Sequence, residues 1–136
     1  MRVMLFALAE AAIIDQRSNL LSVINIIEEI NASAFPLLIP RSAVVLMAAR
    51  NADEPEQMEC VVTAKLDQEV LFNIPTPLNY QGRLRLRYVT EMQGVLIPRA
   101  GNFTLTLMKN NVETASWSLL LQQVAQPMPI FQAGAG

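Results

Sequence analysis

Three arginines at alternate positions, Arg83, Arg85 and Arg87, have the spacing that most suggests a binding site. In an extended strand, alternate residues share one face and stand about 7 Å apart. A row of guanidinium groups can bind carboxylates or phosphates, so we identify these residues as a candidate anion or partner contact. The simpler alternative is a solvated strand face that pairs across the sheet with acids such as Glu59 or Glu69.

The other polar residues offer little catalytic chemistry. The chain has no histidine and a single cysteine, Cys60, which excludes His-dependent triads, Cys–His pairs and intramolecular disulfides within one chain. The adjacent Glu28 and Glu29 would point to opposite faces of a strand, and Glu10 and Asp15 lack the spacing of a carboxylate pair. We therefore predict a protein that is not an enzyme and that has no metal site and no cofactor.

The composition indicates a surface that another molecule covers. Of the 136 residues, 52% are hydrophobic and only 16% are charged, compared with about 25% charged in typical soluble domains. No ionisable side chain follows Glu113, and the only charged residues between Arg17 and Arg41 are two glutamates. We predict a homo-oligomer, with a protein partner as a further option. The net charge of −2 argues against nucleic acid or an anionic membrane surface as partner.

The first thirty residues can be interpreted as a secretory signal, a helix or a β-hairpin. A secretory signal has about 15–30 residues, so the candidate cleavage point after Ala9 comes too early. Five of the eleven residues 20–30 are β-branched, and the polar turn Gln16–Asn19 divides the region, which favours strands. We predict a hairpin of Val3–Asp15 and Leu20–Ile30. With no signal, no transmembrane span and one cysteine, we expect a cytoplasmic protein.

Further along the chain, alternating apolar and polar residues predict short strands separated by turns. The predicted strands are Ser42–Arg50, Met58–Leu66, Val70–Ile74, Arg83–Glu91, Asn102–Lys109 and Val112–Val124. Loops are predicted at Phe35–Pro40 and Pro75–Gly82, and a loop or edge segment at Met92–Gly101. We expect Leu84, Leu86 and Tyr88 to face inward, Cys60 and Trp117 to lie in the core, and Asn110-Asn111 to form a hairpin turn. About eight strands and no long helix predict an all-β, single-domain antiparallel sandwich.

The domain is predicted to cover residues 1–125, followed by a tail at 126–136 that is either disordered or an interface arm. Both arms of the hairpin are apolar on both faces, whereas a strand with one solvated face should alternate. Something must therefore cover the second face, either another layer of the same chain or another subunit. The candidate interface residues are Leu21, Val23, Ile27, Ile130 and Phe131.

Several segments together resemble a family of small, uncharacterised bacterial β-sandwich proteins. They are "DQRSN", "LLSVINIIEEI", "FPLLIP" and "PRAGNFTLTL", and the resemblance covers most of Leu5–Leu121. The chain differs from the family pattern at Ala9-Glu10, where that pattern has Ala-Asp, and at Ser18-Asn19, where it has Gly-Lys. The resemblance implies the sandwich fold and no particular activity.

Three functional hypotheses follow from these patterns, the least favoured of which is an enzyme that uses carboxylates or a composite site between subunits. The first is a non-enzymatic sandwich that self-associates and acts as a binding or assembly module. The second is a carrier that holds a small apolar ligand inside the sandwich, where the seven methionines would supply an adaptable lining.

Overall fold

The computed structural model describes residues 1–125, and this part of the chain contains nine β-strands and no helix. The strands are β1 (Arg2–Ile14), β2 (Leu21–Ile26), β3 (Glu29–Ala32), β4 (Leu37–Ala49), β5 (Gln57–Leu66), β6 (Glu69–Asn79), β7 (Arg85–Ile97), β8 (Gly101–Lys109) and β9 (Val112–Gln123). The predicted all-β fold with an N-terminal hairpin is confirmed. The predicted tail at 126–136, with Ile130 and Phe131, lies outside the described residues.

The strands form two sheets that pack as a sandwich. One sheet has four strands in the order β2-β1-β4-β7, and the other has five in the order β3-β9-β8-β5-β6. Neighbouring strands are antiparallel, except that β3 runs parallel to β9. Strands β2 and β7 are the edges of the four-stranded sheet, and they carry the two surfaces described below.

The core lies between the sheets and follows the predicted alternation. In β5 and β8, Leu66, Phe103 and Leu105 are fully buried. Cys60 is also buried, and Trp117 packs at the margin of the core. The turn Asn110-Asn111 between β8 and β9 has φ values of 52° and 60°. Asparagine tolerates this left-handed conformation, which the tight turns of β-hairpins require, so the predicted turn is confirmed.

Strand β1 has two halves with different partners. Its first half pairs with β4 from Arg2↔Ala49 to Ala9↔Ala43, whereas its second half pairs with β2 from Ala9↔Ile26 to Ile14↔Leu21. The β1–β2 hairpin beyond Ala9 therefore leaves β4 and forms a two-stranded ribbon of its own.

This ribbon folds back across the outer face of the four-stranded sheet. Leu5, Met47 and Arg87 lie side by side on β1, β4 and β7. If β1 continued straight from Leu5, its end at Ile14 would lie about 30 Å beyond this row. Yet Arg87 Nη1 lies 2.7 Å from the carbonyl oxygen of Asn19 at the hairpin turn. The hairpin must therefore bend back over the sheet.

The returning hairpin accounts for the burial of small residues on this outer face. Ala7, Ala9 and Val45 are 1%, 0% and 0% exposed, although they point away from the core. The same chain thus covers the second apolar face at these positions, which is one of the two options that the sequence left open.

The predicted second arm, Leu20–Ile30, is wrong as a single strand. It divides into β2, in the four-stranded sheet, and β3, in the five-stranded sheet. Ile27 lies at the crossing point: its N–H donates to the Leu8 carbonyl (2.8 Å), and its carbonyl accepts from Trp117 Nε1 (2.9 Å). A segment that passes from one sheet to the other needs apolar residues on both faces, which explains the lack of alternation.

The predicted boundaries of two strands are wrong, because both strands continue through prolines. Strand β4 begins at Leu37 and runs through Pro40, and β6 continues through Pro75 and Pro77 to Asn79. Strand β6 is an edge, where a residue without an N–H can face the open side of the ladder. The segment predicted as a loop or edge at 92–101 is largely the end of the edge strand β7.

Candidate binding surfaces

The three sequence-predicted arginines line one groove, at the end of the sheet where β7 begins. Arg85 and Arg87 lie on the outer face of β7, and Arg83 belongs to the preceding turn. The groove is open and has a volume of about 830 Å³. Its walls are the β1–β2 hairpin turn and the connection between β6 and β7. We call it the arginine groove; its other lining residues include Asn19, Met47, Pro77, Tyr80, Leu84 and Leu86.

The three arginines differ in what they contact. The Arg87 guanidinium is held by Asn19, because Nη1 donates to the main-chain oxygen (2.7 Å) and Nη2 to Oδ1 (2.8 Å). Arg83 contacts Arg50 through its main-chain carbonyl, which accepts a hydrogen bond from Arg50 Nε (2.8 Å). The side chains of Arg83 and Arg85 are exposed and form no ion pair within residues 1–125.

The acids named as cross-sheet partners do not pair with this row. Glu69 accepts from Arg99 Nη1 at 2.9 Å, and Glu59 lies on β5 in the other sheet. The pairing with Glu59 or Glu69 is therefore absent, while the Arg83 and Arg85 side chains are exposed to solvent, as in the simpler interpretation of the sequence.

A fourth arginine, distant in sequence, joins the same face. Arg2 on β1 pairs in register with Ala49 on β4, and Ala49 pairs with Arg85 on β7. Residues directly opposite one another share a face, so Arg2 and Arg85 lie on one side of the sheet, about 10 Å apart across two strand spacings. Sequence reasoning missed Arg2, because only the strand order β1-β4-β7 brings the two together.

The second surface is formed by apolar side chains of the β1–β2 hairpin. Ile13, Leu20, Ile24 and Ile26 are 53%, 66%, 39% and 44% exposed, and we call these four the hairpin surface. Large apolar side chains so close together on a protein surface are typical of an interaction site.

The predicted interface residues of the hairpin are less exposed than these four. Leu21 and Val23 are half-buried, and Ile27 packs against the core. The pattern of apolar residues in the sequence did not distinguish the exposed side chains from those that the fold itself covers.

Among the described residues, the space enclosed between the sheets is small. A void lined by Phe6, Leu46, Val62 and Leu107 has a volume of about 10 Å³, enough for about one water molecule. Sites for drug-sized ligands have about 300–1,000 Å³. This void is too small for such a ligand.

Few ionisable groups in the described part of the chain have shifted pKa values. Burial raises the pKa of the Cys60 thiol and, as the main cause, that of the Tyr80 hydroxyl, whose oxygen has no hydrogen-bond partner in residues 1–125. Hydrogen bonding to the chain's amino terminus lowers the pKa of Glu54, and the Ser18 and Arg17 N–H groups lower that of Asp15. Glu54, Cys60 and Tyr80 lie near one another, because the charges of Glu54 and Cys60 also raise the pKa of Tyr80, whereas Asp15 lies apart in the hairpin turn.

The described residues contain neither a cluster of metal-binding side chains nor a membrane-spanning helix. Within 1–125, no three Cys, Asp or Glu side chains are grouped so that they could hold a metal ion. No helix in the same range is long and apolar enough to cross a membrane.

The fold and its two surfaces define a nine-stranded β-sandwich with an apolar hairpin at one edge strand and an arginine groove at the other. The family model for DUF6941, a family of unknown function, matches residues 4–122. The chain therefore belongs to this family. No curated protein matches the chain.

Proposed function

We propose that the protein is a non-enzymatic binding or assembly module that self-associates through its β1–β2 hairpin. The observation that carries the proposal is the hairpin surface of Ile13, Leu20, Ile24 and Ile26, which is exposed beside an unpaired edge strand. Burying apolar side chains gains about 25 cal/mol per Å² removed from water, and a partner copy supplies that burial.

The free edge of β2 supports pairing between two copies. An edge strand presents unpaired main-chain N–H and C=O groups, and two identical edges can pair antiparallel about a two-fold axis. Asn25 has a φ of 54°, which limits regular pairing to Leu21–Ile24. A ladder of this length is short, so the exposed side chains must supply most of the stabilisation.

The charge pattern leaves this edge unprotected. Natural edge strands are often blocked by an inward-pointing lysine or another charge. Strand β2 has no charged residue, and none lies between Arg17 and Glu28. An edge without such a charge is suited to pairing with another copy.

A non-enzymatic role in the cytoplasm completes the proposal. The chain has no histidine, and its one cysteine is buried with a raised pKa, which disfavours the nucleophilic thiolate. A free thiol without disulfide partners is compatible with a reducing compartment. The proposed role requires no cofactor.

The test is sedimentation equilibrium of the full chain at micromolar concentrations. We expect a stable oligomer for the wild type and a monomer for Ile24→Lys, which places a charge at the centre of the pairing. A monomeric wild type would contradict the proposal.

The matched control is Val112→Lys. Val112 is 64% exposed at the start of β9, away from the hairpin. It should leave the oligomer intact, because the new charge lies outside the proposed interface. If Val112→Lys dissociated the oligomer and Ile24→Lys did not, the interface would have to lie elsewhere.

A further inference from the structure

We propose that the arginine groove binds an extended acidic segment of a partner protein, which adds as a strand to the free edge of β7. The segment would have carboxylates at alternate positions and apolar residues between them. This site uses the edge strand β7, whereas the proposed self-association uses the edge strand β2, so it goes beyond self-association.

The charge of the groove favours an acidic ligand. Arg83, Arg85 and Arg87 all line it, and no carboxylate of residues 1–125 does. The whole chain carries a net charge of −2, so this local excess of positive charge runs against the overall balance. Concave surfaces lined by one sign of charge concentrate the field and attract ligands of the other sign.

The chain itself does not supply the missing carboxylate. The nearby Glu54 is bound by the amino terminus, and Glu56 lies 3.9 Å from the Arg50 guanidinium. Residues 126–136, outside the described part, contain no Asp or Glu. The side-chain carboxylates that would pair with Arg83 and Arg85 must therefore come from another molecule.

The edge of β7 favours a peptide in extended conformation. Strand β7 is the last of its sheet, so alternate main-chain groups along it point away from β4. A strand added there would place its own alternate side chains about 7 Å apart, which matches the spacing of Arg85 and Arg87. Cross-strand pairs of opposite charge then stabilise the added strand.

The other face of β7 is apolar, and this explains why the bound segment needs apolar residues between its carboxylates. Leu84, Leu86 and Tyr88 alternate with the arginines and line the groove on the side of the sandwich interior, opposite Pro77 of β6. Leu84 was predicted to face the core, but it is 51% exposed. An added strand would cover it with every second side chain.

A nucleic acid fits the groove less well than a peptide. Single-stranded nucleic acids need exposed aromatic rings on which bases stack. Tyr80 is 1% exposed and Tyr88 is half-buried, so neither ring offers such a platform. In addition, a ligand bound only through its phosphates would leave the main-chain groups of the β7 edge unpaired.

The test is fluorescence anisotropy with a labelled hexapeptide of alternating Glu and Val. We expect saturable binding that weakens about tenfold in Arg85→Gln, because one charge-assisted hydrogen-bonding group is lost. The matched control is Arg41→Gln, which removes a charge about 20 Å along the sheet from Arg87 and should leave the affinity unchanged.

Two further peptides test the binding mode. A block peptide with all Glu before all Val should bind at least about tenfold more weakly, because its side chains no longer alternate. A hexapeptide methylated at alternate main-chain nitrogens should also lose affinity, because it cannot pair with β7. Equal binding of all three peptides would mean diffuse charge attraction and would overturn the proposal.

The remaining outcomes separate this proposal from others. Tighter binding of an oligothymidylate, or binding of inorganic phosphate without the peptide, would also overturn it. The monomeric variant Ile24→Lys should keep its affinity for the peptide. Loss of oligomerisation and loss of peptide binding are therefore distinguishable.

Discussion

Arg87 and Asn19 are separated by 68 residues in the chain, yet two hydrogen bonds of 2.7 and 2.8 Å join them. Arg87 lies on the edge strand β7, and Asn19 lies in the turn of the β1–β2 hairpin. This clamp fastens the hairpin turn across the outer face of the sheet. It also connects the two surfaces, since one wall of the arginine groove is the turn of the hairpin that exposes the apolar side chains.

Breaking this clamp should loosen the hairpin without unfolding the sandwich. In Arg87→Met, the side chain still covers the sheet, but both hydrogen bonds to Asn19 are lost, at a cost of about 1 kcal/mol. We expect amide hydrogen exchange in Leu21–Ile26 to become about fivefold faster, while exchange in β5 and β8 stays unchanged. Asn19→Gly, which keeps the carbonyl and tolerates the φ of 59°, should show about half of the effect. Unchanged exchange in both variants would mean that the clamp does not hold the hairpin.

The bond between Trp117 and Ile27 should contribute to global stability. Trp117 Nε1 lies 2.9 Å from the Ile27 carbonyl, at the point where the chain crosses from one sheet to the other. Trp117→Phe leaves that partly buried carbonyl without its partner, and we expect a loss of about 1–2 kcal/mol in urea unfolding. Replacing Trp117 with benzothienylalanine keeps the ring size and removes only the N–H. If this analogue were as stable as wild type, the hydrogen bond would contribute nothing.

Gly101 should resist substitution more strongly than Gly94. Both residues have positive φ values, 153° and 70°. A Cβ on Gly101 would lie 2.8 Å from Asp67 Oδ2, whereas on Gly94 its nearest neighbour would be Leu38 Cδ1 at 3.9 Å. We expect Gly101→Ala to cost about 2–3 kcal/mol and Gly94→Ala about 1 kcal/mol in denaturant unfolding. Equal losses would mean that Asp67 moves aside without cost.

The sequence predicted most strands correctly because their alternation reflects one buried face. Met58–Leu66 and Asn102–Lys109 match β5 and β8 within one residue. The hairpin arm at 20–30 was different, because a segment that crosses between sheets is apolar on both faces and has no period to follow. The row of three arginines was predicted from their alternate positions in the sequence. Its relation to Arg2 and Asn19 was not, because both depend on strand order and on the bend in β1.

The buried hydroxyl of Tyr80 should contribute little to stability at neutral pH. Its oxygen has no partner in residues 1–125, so Tyr80→Phe removes a polar group that burial penalises. We expect the free energy of unfolding at pH 7 to stay the same or to rise. The pKa of this hydroxyl is raised mainly by burial, so the unfolded state ionises first as the pH rises. Wild-type stability should therefore fall above about pH 10, and less steeply in Tyr80→Phe. A large loss of stability at pH 7 would reveal a hydrogen bond that the hydroxyl makes in solution.

Cys60 should be unreactive in the folded protein. The thiol is buried, and burial raises its pKa, so at pH 8 it is protonated and inaccessible. We expect the native protein to react with a disulfide reagent only as fast as it opens, and the urea-unfolded protein to react at once.

Because the folded thiol holds its proton to higher pH than the unfolded one, its contribution to stability is fully present below the unfolded-state pKa of about 8.5 and is lost above it. In Cys60→Ala, which lacks the ionisable thiol, the decline between pH 8 and pH 10 should be shallower. Rapid modification of the native protein at pH 8 would show that β5 opens locally, and would make this strand a dynamic part of the sandwich.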